Sequence, residues 1–213
     1  MVYSVKELYL TLQGEGAQTG RAAVFLRFAG CNLWSGLERD RRTAQCRFCD
    51  TDFVGVDGER GGKYASAAAL ADETLAVWSG AASPPSSPFV VVTGGEPLLQ
   101  LDAALIDALH GRGFKIAVET NGTIAAPSGI DWLCVSPKAG ADLVQRSGDE
   151  LKLVFPQAGA APEAFEGLAF SHFFLQPMDG PEISRHTAAA VAYCKAHPRW
   201  RLSVQTHKLI GVK

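Results

Sequence analysis

The stretch "FVVVTGGEPLLQLDAALIDALHGRGFKIAVET", Phe89–Thr120, decides the class of fold. Its two ends, "FVVVT" and "KIAVET", are short apolar runs rich in β-branched residues, which is typical of buried strands. Between them, apolar residues recur at helical spacing on one stripe that is followed by a glycine, namely Leu101, Leu105, Ile106 and Leu109. A strand, a helix and a second strand in this order predict two parallel strands joined by a helical crossover.

The same alternation of strands and helices continues on both sides of this stretch. Helical patterns occupy Ser66–Trp78 and Ser184–His197, and Ser184 is the predicted cap of the second. The further strand candidates are Ala23–Phe28, Trp132–Ser136, Leu151–Phe155, His172–Gln176 and Arg201–Thr206. We therefore expect a single α/β domain, residues 1–213, built on a parallel sheet that is open or partly closed as a barrel.

The composition limits the kinds of partner. Of the 213 residues, 47% are hydrophobic and 20% are charged, and the net charge is −2, which is ordinary for a globular domain. Binding to nucleic acid requires clustered Lys and Arg, so we expect no nucleic-acid partner. The start shows no signal peptide and no run approaches the roughly 18 apolar residues of a membrane helix. We expect a cytoplasmic protein with no membrane partner, in which reduced thiols bind metal rather than form disulfides.

Polar and glycine-bearing segments follow most of the predicted strands. They are "AGCNLW" after Ala23–Phe28, "GGEP" after Phe89–Thr93, and "NGT", "SPK", "QPMD" and "QTHK" at four of the later strands. In parallel α/β folds the chemistry lies at the carboxyl ends of the strands. This pattern predicts an enzyme whose active site lies at that edge of the sheet.

Three of the five cysteines lie close together. Cys31, Cys46 and Cys49 are separated by fourteen and then two residues, whereas Cys134 and Cys194 lie inside a strand and a helix and are interpreted as inert core cysteines. Three thiolates are one short of the set that fills an ordinary iron–sulfur cluster, and they would leave one iron open to a cofactor. The alternative is a zinc site completed by a histidine, but no histidine lies at a short ligand spacing from these cysteines.

Eight segments in order resemble the 7-carboxy-7-deazaguanine synthase family of the radical S-adenosylmethionine (radical SAM) superfamily. They are "LTLQGEG", "RFAGCNLW", "CRFCDTDF", "VTGGEPLLQLD", "ETNGT", "VSPKA", "LQPMDG" and "QTHK". The fourteen residues Asn32–Gln45 exceed the usual three-residue spacing of the superfamily, but an insertion is seen in this family, and the larger loop costs only about 1–1.5 kcal/mol of chain entropy. The resemblance implies a partial TIM-like barrel of about six parallel strands, with this insertion in the cluster-binding loop.

The resemblance also implies the cofactors and their ligands. Cys31, Cys46 and Cys49 would hold a 4Fe–4S cluster whose open iron chelates S-adenosylmethionine. The amino group of that cofactor would be held at "GGE", where glycines let the backbone approach closely and a carboxylate complements an ammonium. The implied cofactor contacts are Phe48, Gly94, Gly95, Glu96, Ser136, Lys138, Gln176, Pro177, Met178 and Asp179.

The implied substrate is 6-carboxy-5,6,7,8-tetrahydropterin, an anionic bicyclic base. Glu15 on the "LQGEG" turn can accept from the ring N–H groups, and Arg27 can pair with the carboxylate. Thr51 would ligate Mg²⁺, while Asp50 and Asp52 could equally belong to a solvated turn. His207 is the candidate catalytic residue for proton handling, with a structural role as the alternative. The implied substrate contacts are Leu12, Gln13, Gly14, Glu15, Arg27, Thr93, His207 and Lys213.

The implied reaction is a radical ring contraction. A 5′-deoxyadenosyl radical would abstract a hydrogen from the pterin, which rearranges to 7-carboxy-7-deazaguanine with loss of ammonia, a step in queuosine and deazapurine biosynthesis. The family implies an electron donor such as flavodoxin or ferredoxin, and a homodimer. Two other hypotheses are a glycyl-radical activating enzyme that acts on a protein loop and a non-enzymatic zinc module. The "LQGEG" turn, Arg27 and "DTDF" favour the small anionic substrate over the protein loop.

Overall fold

The computed structural model describes residues 1–80 and 87–213. Within these ranges the elements are β1 Tyr3–Leu12, β2 Ala22–Phe28, β3 Gly62–Tyr64, α1 Ala67–Ser79, β4 Phe89–Gly94, α2 Ala103–His110, β5 Lys115–Thr120, β6 Trp132–Val135, β7 Ser147–Phe155, β8 Ala169–Pro177, α3 Ile183–Ala196, β9 Trp200–Leu202 and α4 Thr206–Ile210. No helix in these ranges has both the length and the apolar character that crossing a membrane requires.

The strands form one sheet in the order β3-β1-β2-β4-β5-β6-β7-β8-β9. Neighbouring strands from β2 to β9 run parallel, whereas β1 is antiparallel to both β2 and β3. The two outer strands, β3 and β9, are not paired with each other in the described structure, so the sheet is open. The register sets Arg27 of β2 beside Thr93 of β4, at the carboxyl ends of both strands.

The α/β class and the mostly parallel sheet are confirmed, but the strand count differs from the prediction of about six parallel strands. Seven strands are parallel, and β1 and β3 add an antiparallel edge. The sequence did not predict β1 because Lys6 and Glu7 interrupt its apolar pattern, and both find tertiary ion-pair partners. The three residues of β3 are too few to carry a pattern of their own.

Each inner strand presents alternate residues to two different environments. Val90 and Val92 of β4, like Leu151 and Leu153 of β7, are fully buried in the main apolar core beneath the helices. Complete burial of such side chains contributes roughly 1.5–3 kcal/mol each. The intervening residues point to the opposite face of the sheet. Along the strands this face carries apolar side chains such as Val91, and at their carboxyl ends it carries polar residues that line a cavity.

Helices α1 and α2 lie where the sequence predicted helical patterns, but the predicted cap of α3 is wrong. Ser66 caps α1 by accepting from the Ala69 N–H, and Asp102 caps α2 by accepting from the Leu105 N–H. Helix α3 begins at Ile183, so the predicted cap Ser184 lies inside its first turn.

The last predicted strand is shorter than expected. It was predicted to continue to Thr206, but β9 ends at Leu202. The Thr206 N–H donates to Gly14 O at 2.9 Å, which draws the chain away from the sheet and across its carboxyl edge.

Candidate active site

A cavity of about 360 Å³ lies at the carboxyl edge of the parallel strands. The loops after successive strands each contribute to its wall: Cys31 after β2, Gly95 after β4, Asn121 after β5, Lys138 after β6 and Asp179 after β8. This is the edge at which the sequence predicted the site. The strands fix the starting point of every loop, so residues more than a hundred positions apart in the chain meet in one cavity.

The cavity brings together nearly all the residues singled out from the sequence. Of those, only Glu96 and Met178 are absent from its lining. The lining includes Leu12, Gln13, Gly14, Glu15, Arg27, Cys31, Cys46, Phe48, Cys49, Thr51, Thr93, Gly94, Gly95, Ser136, Lys138, Gln176, Pro177, Asp179, His207 and Lys213. The Met178 carbonyl instead lies 2.8 Å from His186 Nδ1, behind the loop that follows β8.

Glu96 is wholly buried, and protein groups already surround its carboxylate. The carboxylate accepts from the Leu98 N–H at 3.0 Å, from Thr120 Oγ1 at 2.8 Å and from the Asn121 N–H at 2.8 Å. Burial raises its pKa. In this structure Glu96 ties the loop after β4 to the end of β5, and the two preceding glycines are what face the cavity.

Gly94 and Gly95 are required by close packing against the cysteine loop. A Cβ on Gly94 would overlap the Phe28 carbonyl, and one on Gly95 would overlap the Gly30 carbonyl and lie 2.6 Å from Cys31 Cβ. Any larger residue would push the loop after β4 away from the loop after β2. The glycine pair therefore sets the distance between Cys31 and the β4 end of the cavity.

The three thiols of the cysteine loop differ in pKa. The hydrogen bond with Cys46 lowers the pKa of Cys49 to about 6 and raises that of Cys46, while burial raises the pKa of Cys31. The Lys138 ammonium lies close enough to favour the ionised form of both Cys46 and Cys49. A thiolate at neutral pH beside a cation is the protonation state that metal binding requires.

The three sulfurs do not all converge on the site of a single ion. Around one zinc ion, Zn–S bonds of about 2.3 Å hold the sulfurs about 3.8 Å apart. Among residues 1–80 and 87–213, no set that includes Cys31, Cys46 and Cys49 has its ligand atoms within 4.8 Å of one another. All three cysteines are free and line one cavity, so this set of donors fits a multi-iron cluster.

The insertion packs against the cluster loop. Residues Glu38–Thr43 form a short 3₁₀ helix, and Arg41 on it donates to the Arg47 and Cys49 carbonyls at 2.9 and 3.0 Å. The same guanidinium stacks 4.1 Å from the centre of the Trp34 ring. The insertion thus supports the turn that carries the last two cysteines.

A buried charge network forms another part of the cavity wall. Lys152 Nζ lies 2.7 Å from Glu15 Oε2 and 2.7 Å from Glu119 Oε2, and Gln13 donates to Glu119 at 3.1 Å. Burial alone would raise the pKa of Glu15, but Lys152 reverses this and lowers it, whereas burial leaves the pKa of Glu119 raised. Glu119 and Lys152 were not predicted from the sequence; the signal that could have found them is a charged residue within a predicted inner strand.

Cys134 does not lie in the apolar core as predicted. It is buried on the cavity side of β6, and its sulfur lies within 4.8 Å of carboxylate oxygens of Glu119 and Glu150. The pKa of its thiol is strongly raised by burial and by these carboxylates, so it stays protonated. Cys194 of α3 does pack against the main core, as expected.

Arg27 has an anionic partner within the protein. Its Nε donates to Glu7 Oε1 at 2.9 Å, and its Nη2 donates to the Tyr9 hydroxyl at 3.3 Å. Lys213 Nζ lies 3.2 Å from the other oxygen of Glu7, and the Lys213 carbonyl oxygen accepts from Thr11 Oγ1. The chain terminus and Arg27 therefore share Glu7, and both line the cavity.

The two aspartates beside the cluster loop are also paired within the protein. Asp52 forms an ion pair with Lys6 at 2.9 Å, and Asp50 forms one with Lys208 at 2.6 Å. His207, next to Lys208, packs so closely on Gly14 that a Cβ there would collide with its ring. Burial lowers the pKa of His207, so its imidazole is neutral at pH 7.

No model of a known protein family matches this chain. It is 67% identical over 213 residues to the 7-carboxy-7-deazaguanine synthase of Bradyrhizobium diazoefficiens, and 40% identical over 213 residues to that of Bacteroides thetaiotaomicron; both alignments cover all of each chain. Its structure is similar to the crystal structure of QueE from Escherichia coli, with a TM-score of 0.71 and 28% identity, over 97% of this chain and 95% of that one.

Together with these relatives, an open and mostly parallel sheet with three free cysteines and a Gly-Gly-Glu loop at its carboxyl edge identifies a radical SAM enzyme. The chain belongs to the 7-carboxy-7-deazaguanine synthase family, as the eight sequence segments indicated. This membership supersedes the glycyl-radical activating enzyme and the zinc module as hypotheses.

Proposed function

We propose that this chain converts 6-carboxy-5,6,7,8-tetrahydropterin to 7-carboxy-7-deazaguanine with loss of ammonia, as a radical SAM lyase in queuosine and deazapurine biosynthesis. The observation that carries the proposal is one cavity lined by three cysteine thiols and by a buried, paired charge network. All 213 residues would form a single radical SAM domain. The open sheet would curve as an incomplete TIM-like barrel around this cavity.

Cys31, Cys46 and Cys49 would hold a 4Fe–4S cluster, with S-adenosylmethionine on its open iron. Once bound, the pair would supply the radical that starts the reaction. Gly94 and Gly95 leave the backbone open to the cofactor amino group, and Lys138 brings a cation to its carboxylate. The remaining proposed cofactor contacts are Phe48, Ser136, Gln176, Pro177 and Asp179, which line the cavity, while Glu96 and Met178 would act through the loops that they hold.

The Gln13–Glu15 turn would bind the edge of the pterin that carries its ring N–H and amino groups. Lys152 keeps Glu15 ionised, so that its carboxylate can accept from the ring N–H and amino groups. Arg27, oriented by Glu7 and Tyr9, retains Nη1 for the substrate carboxylate. Neutral His207 can accept a proton from substrate at its ring nitrogen. The other proposed substrate contacts are Leu12, Gly14, Thr93 and Lys213.

Mg²⁺ would bind at the Thr51 hydroxyl together with substrate oxygens and water, because this ion needs few protein ligands. Thr51 lines the cavity, whereas Asp50 and Asp52 are occupied by lysines and are not required as ligands. We further propose an electron donor such as flavodoxin or ferredoxin, a homodimer and a cytoplasmic location.

Anaerobic reconstitution tests this function. The purified chain, loaded with iron and sulfide, should form product and ammonia from the carboxypterin when S-adenosylmethionine, Mg²⁺ and a reductant are present. Cys49→Ala should abolish both 5′-deoxyadenosine and product, and the control Cys194→Ala should retain both. Cleavage of S-adenosylmethionine without any deazaguanine product in the wild type would refute the proposed substrate, and turnover by Cys49→Ala would refute the ligand assignment.

A further inference from the structure

The C-terminal strap, residues 203–213, contributes to the lining of the cavity and is attached to the Gln13–Gly16 turn by polar contacts. Ser203 Oγ accepts from the Gly16 N–H at 2.9 Å, and the Thr206 N–H donates to Gly14 O at 2.9 Å. Gln205 Nε2 donates to Glu15 Oε1 at 3.1 Å. The position of the strap and the position of the Glu15 carboxylate are therefore linked.

Apolar packing contributes little to holding the strap. Leu209 is 77% exposed and Ile210 54% exposed, although both belong to α4 within the strap. A segment with few buried apolar contacts opens locally at a low free-energy cost. Its closed position must depend on its hydrogen bonds and ion pairs.

Lys208 makes the shortest ion pairs of the strap. Its Nζ lies 2.6 Å from Asp50 Oδ2, 2.6 Å from Asp179 Oδ2 and 2.9 Å from Gln205 Oε1. Asp50 directly follows the last cysteine of the cluster loop, and Asp179 lies in the loop after β8. Gln205 Nε2 also donates to Asp50 at 2.9 Å, so this one carboxylate receives two groups from the strap.

We propose that Lys208 is a positioning residue that fastens the strap to the cluster loop and to the loop after β8, and so holds Glu15 and His207 against the substrate. Without this ammonium, the carboxylates of Asp50 and Asp179 lose the cation that they share and repel each other. Loss of the fastening would leave the cysteines in place but free the strap. The kinetic part of this inference rests on the proposed function, whereas the mechanical part concerns the chain alone.

The fastening is built to be reversible. The side chains of Lys208, Asp50 and Asp179 are all almost two-fifths exposed. Ion pairs at such exposure are weak and screened by salt. A substrate can therefore enter without disrupting the core, and closure follows when the three loops meet again.

Hydrogen exchange of the ligand-free protein tests the mechanical part. Amides of residues 205–212 should exchange about fivefold to tenfold faster in Lys208→Met than in wild type at low salt, as expected for loss of weak ion pairs. Lys208→Arg should restore most of the protection, because a guanidinium can pair with both carboxylates. The control Lys195→Met changes an exposed lysine in the last turn of α3 and should match wild type. Equal exchange in Lys208→Met and Lys195→Met would overturn the proposal.

Steady-state kinetics test the positioning role. Lys208→Met should raise KM for the carboxypterin about tenfold and change kcat by less than about threefold, since Lys208 itself takes no part in the proposed chemistry and saturating substrate favours the closed strap. A fall in kcat at unchanged KM would overturn the positioning role. Absence of turnover in the wild type would refute the proposed function and would leave the exchange experiment as a complete test of the fastening.

Discussion

Two lysines of this protein make the same kind of contact in different surroundings. Lys152 and Lys208 each bridge two carboxylates at 2.6–2.7 Å. The Lys152 side chain is 5% exposed, on an inner strand, whereas that of Lys208 is 39% exposed, on the C-terminal strap. Similar distances therefore do not imply equal energies, because water screens mainly the second bridge.

Burial also determines what each lysine can do. A cation enclosed between Glu15 and Glu119 is rigid, and its removal leaves two carboxylates without compensation in a low-dielectric site. The half-exposed bridge can break and form at little cost. The first arrangement suits a fixed recognition surface, and the second suits a segment that must open for substrate.

Lys152→Met should produce the largest effect. The buried carboxylates lose their cation, so the free energy of unfolding should fall by about 3–5 kcal/mol. Urea denaturation followed by circular dichroism measures this change, with Lys195→Met, expected within about 0.5 kcal/mol of wild type, as the control. A loss below about 1 kcal/mol would show that burial does not distinguish the two lysines.

Removing one of the uncompensated carboxylates should recover part of the lost free energy of unfolding. In Lys152→Met combined with Glu119→Gln, the network retains one buried carboxylate instead of two, and about 1–3 kcal/mol should return. The two single variants and the double variant form a thermodynamic cycle by urea denaturation. Additive effects would mean that Lys152 and Glu119 do not interact energetically, despite their 2.7 Å separation.

A feature of this protein could be predicted from the sequence when the residues that determine it lie close together in the chain. Strands β4 and β5 and helix α2 follow from local patterns, and the structure reproduces them. Lys152 is a charge among apolar neighbours in "LKLVF", a pattern that predicts a strand but does not identify a partner for the charge. Its partner Glu119 lies 33 positions away, beyond the reach of periodicity.

The contacts of the strap and the insertion are still less accessible to sequence reasoning. Asp50 and Lys208 are 158 positions apart, and neither residue type signals the pairing. The 3₁₀ turn at Glu38–Thr43 has no apolar stripe; Arg41 instead anchors it to carbonyls of the cluster loop. Such segments take their form from tertiary partners, whereas β4 and β5 carry their own patterns.

Salt should weaken the exposed Lys208 bridge and leave the buried Lys152 bridge largely unchanged. Raising the ionic strength from about 0.01 M to 1 M shortens the Debye length from about 30 to 3 Å, which screens exposed charges and leaves buried ones largely unaffected. The difference in strap exchange between wild type and Lys208→Met should therefore shrink toward zero at high salt. The difference in unfolding free energy between wild type and Lys152→Met should persist. A Lys208 effect that is insensitive to salt would mean that its bridge is shielded from solvent.

The smallest effect concerns the protonation of Asp179. The hydrogen bond from Lys208 lowers the pKa of Asp179 below its ordinary 3.8, so its contribution to closure is fully present above that value and is lost as the pH falls through the lowered pKa. Asp179→Asn should therefore speed exchange of the strap amides at pH 7, by about two- to fivefold for one exposed pair. At a pH below the lowered pKa the two proteins should exchange alike, after correction for the intrinsic exchange rate. A difference that persists there would mean that Asp179 acts through its shape or its other hydrogen bonds and not through its charge.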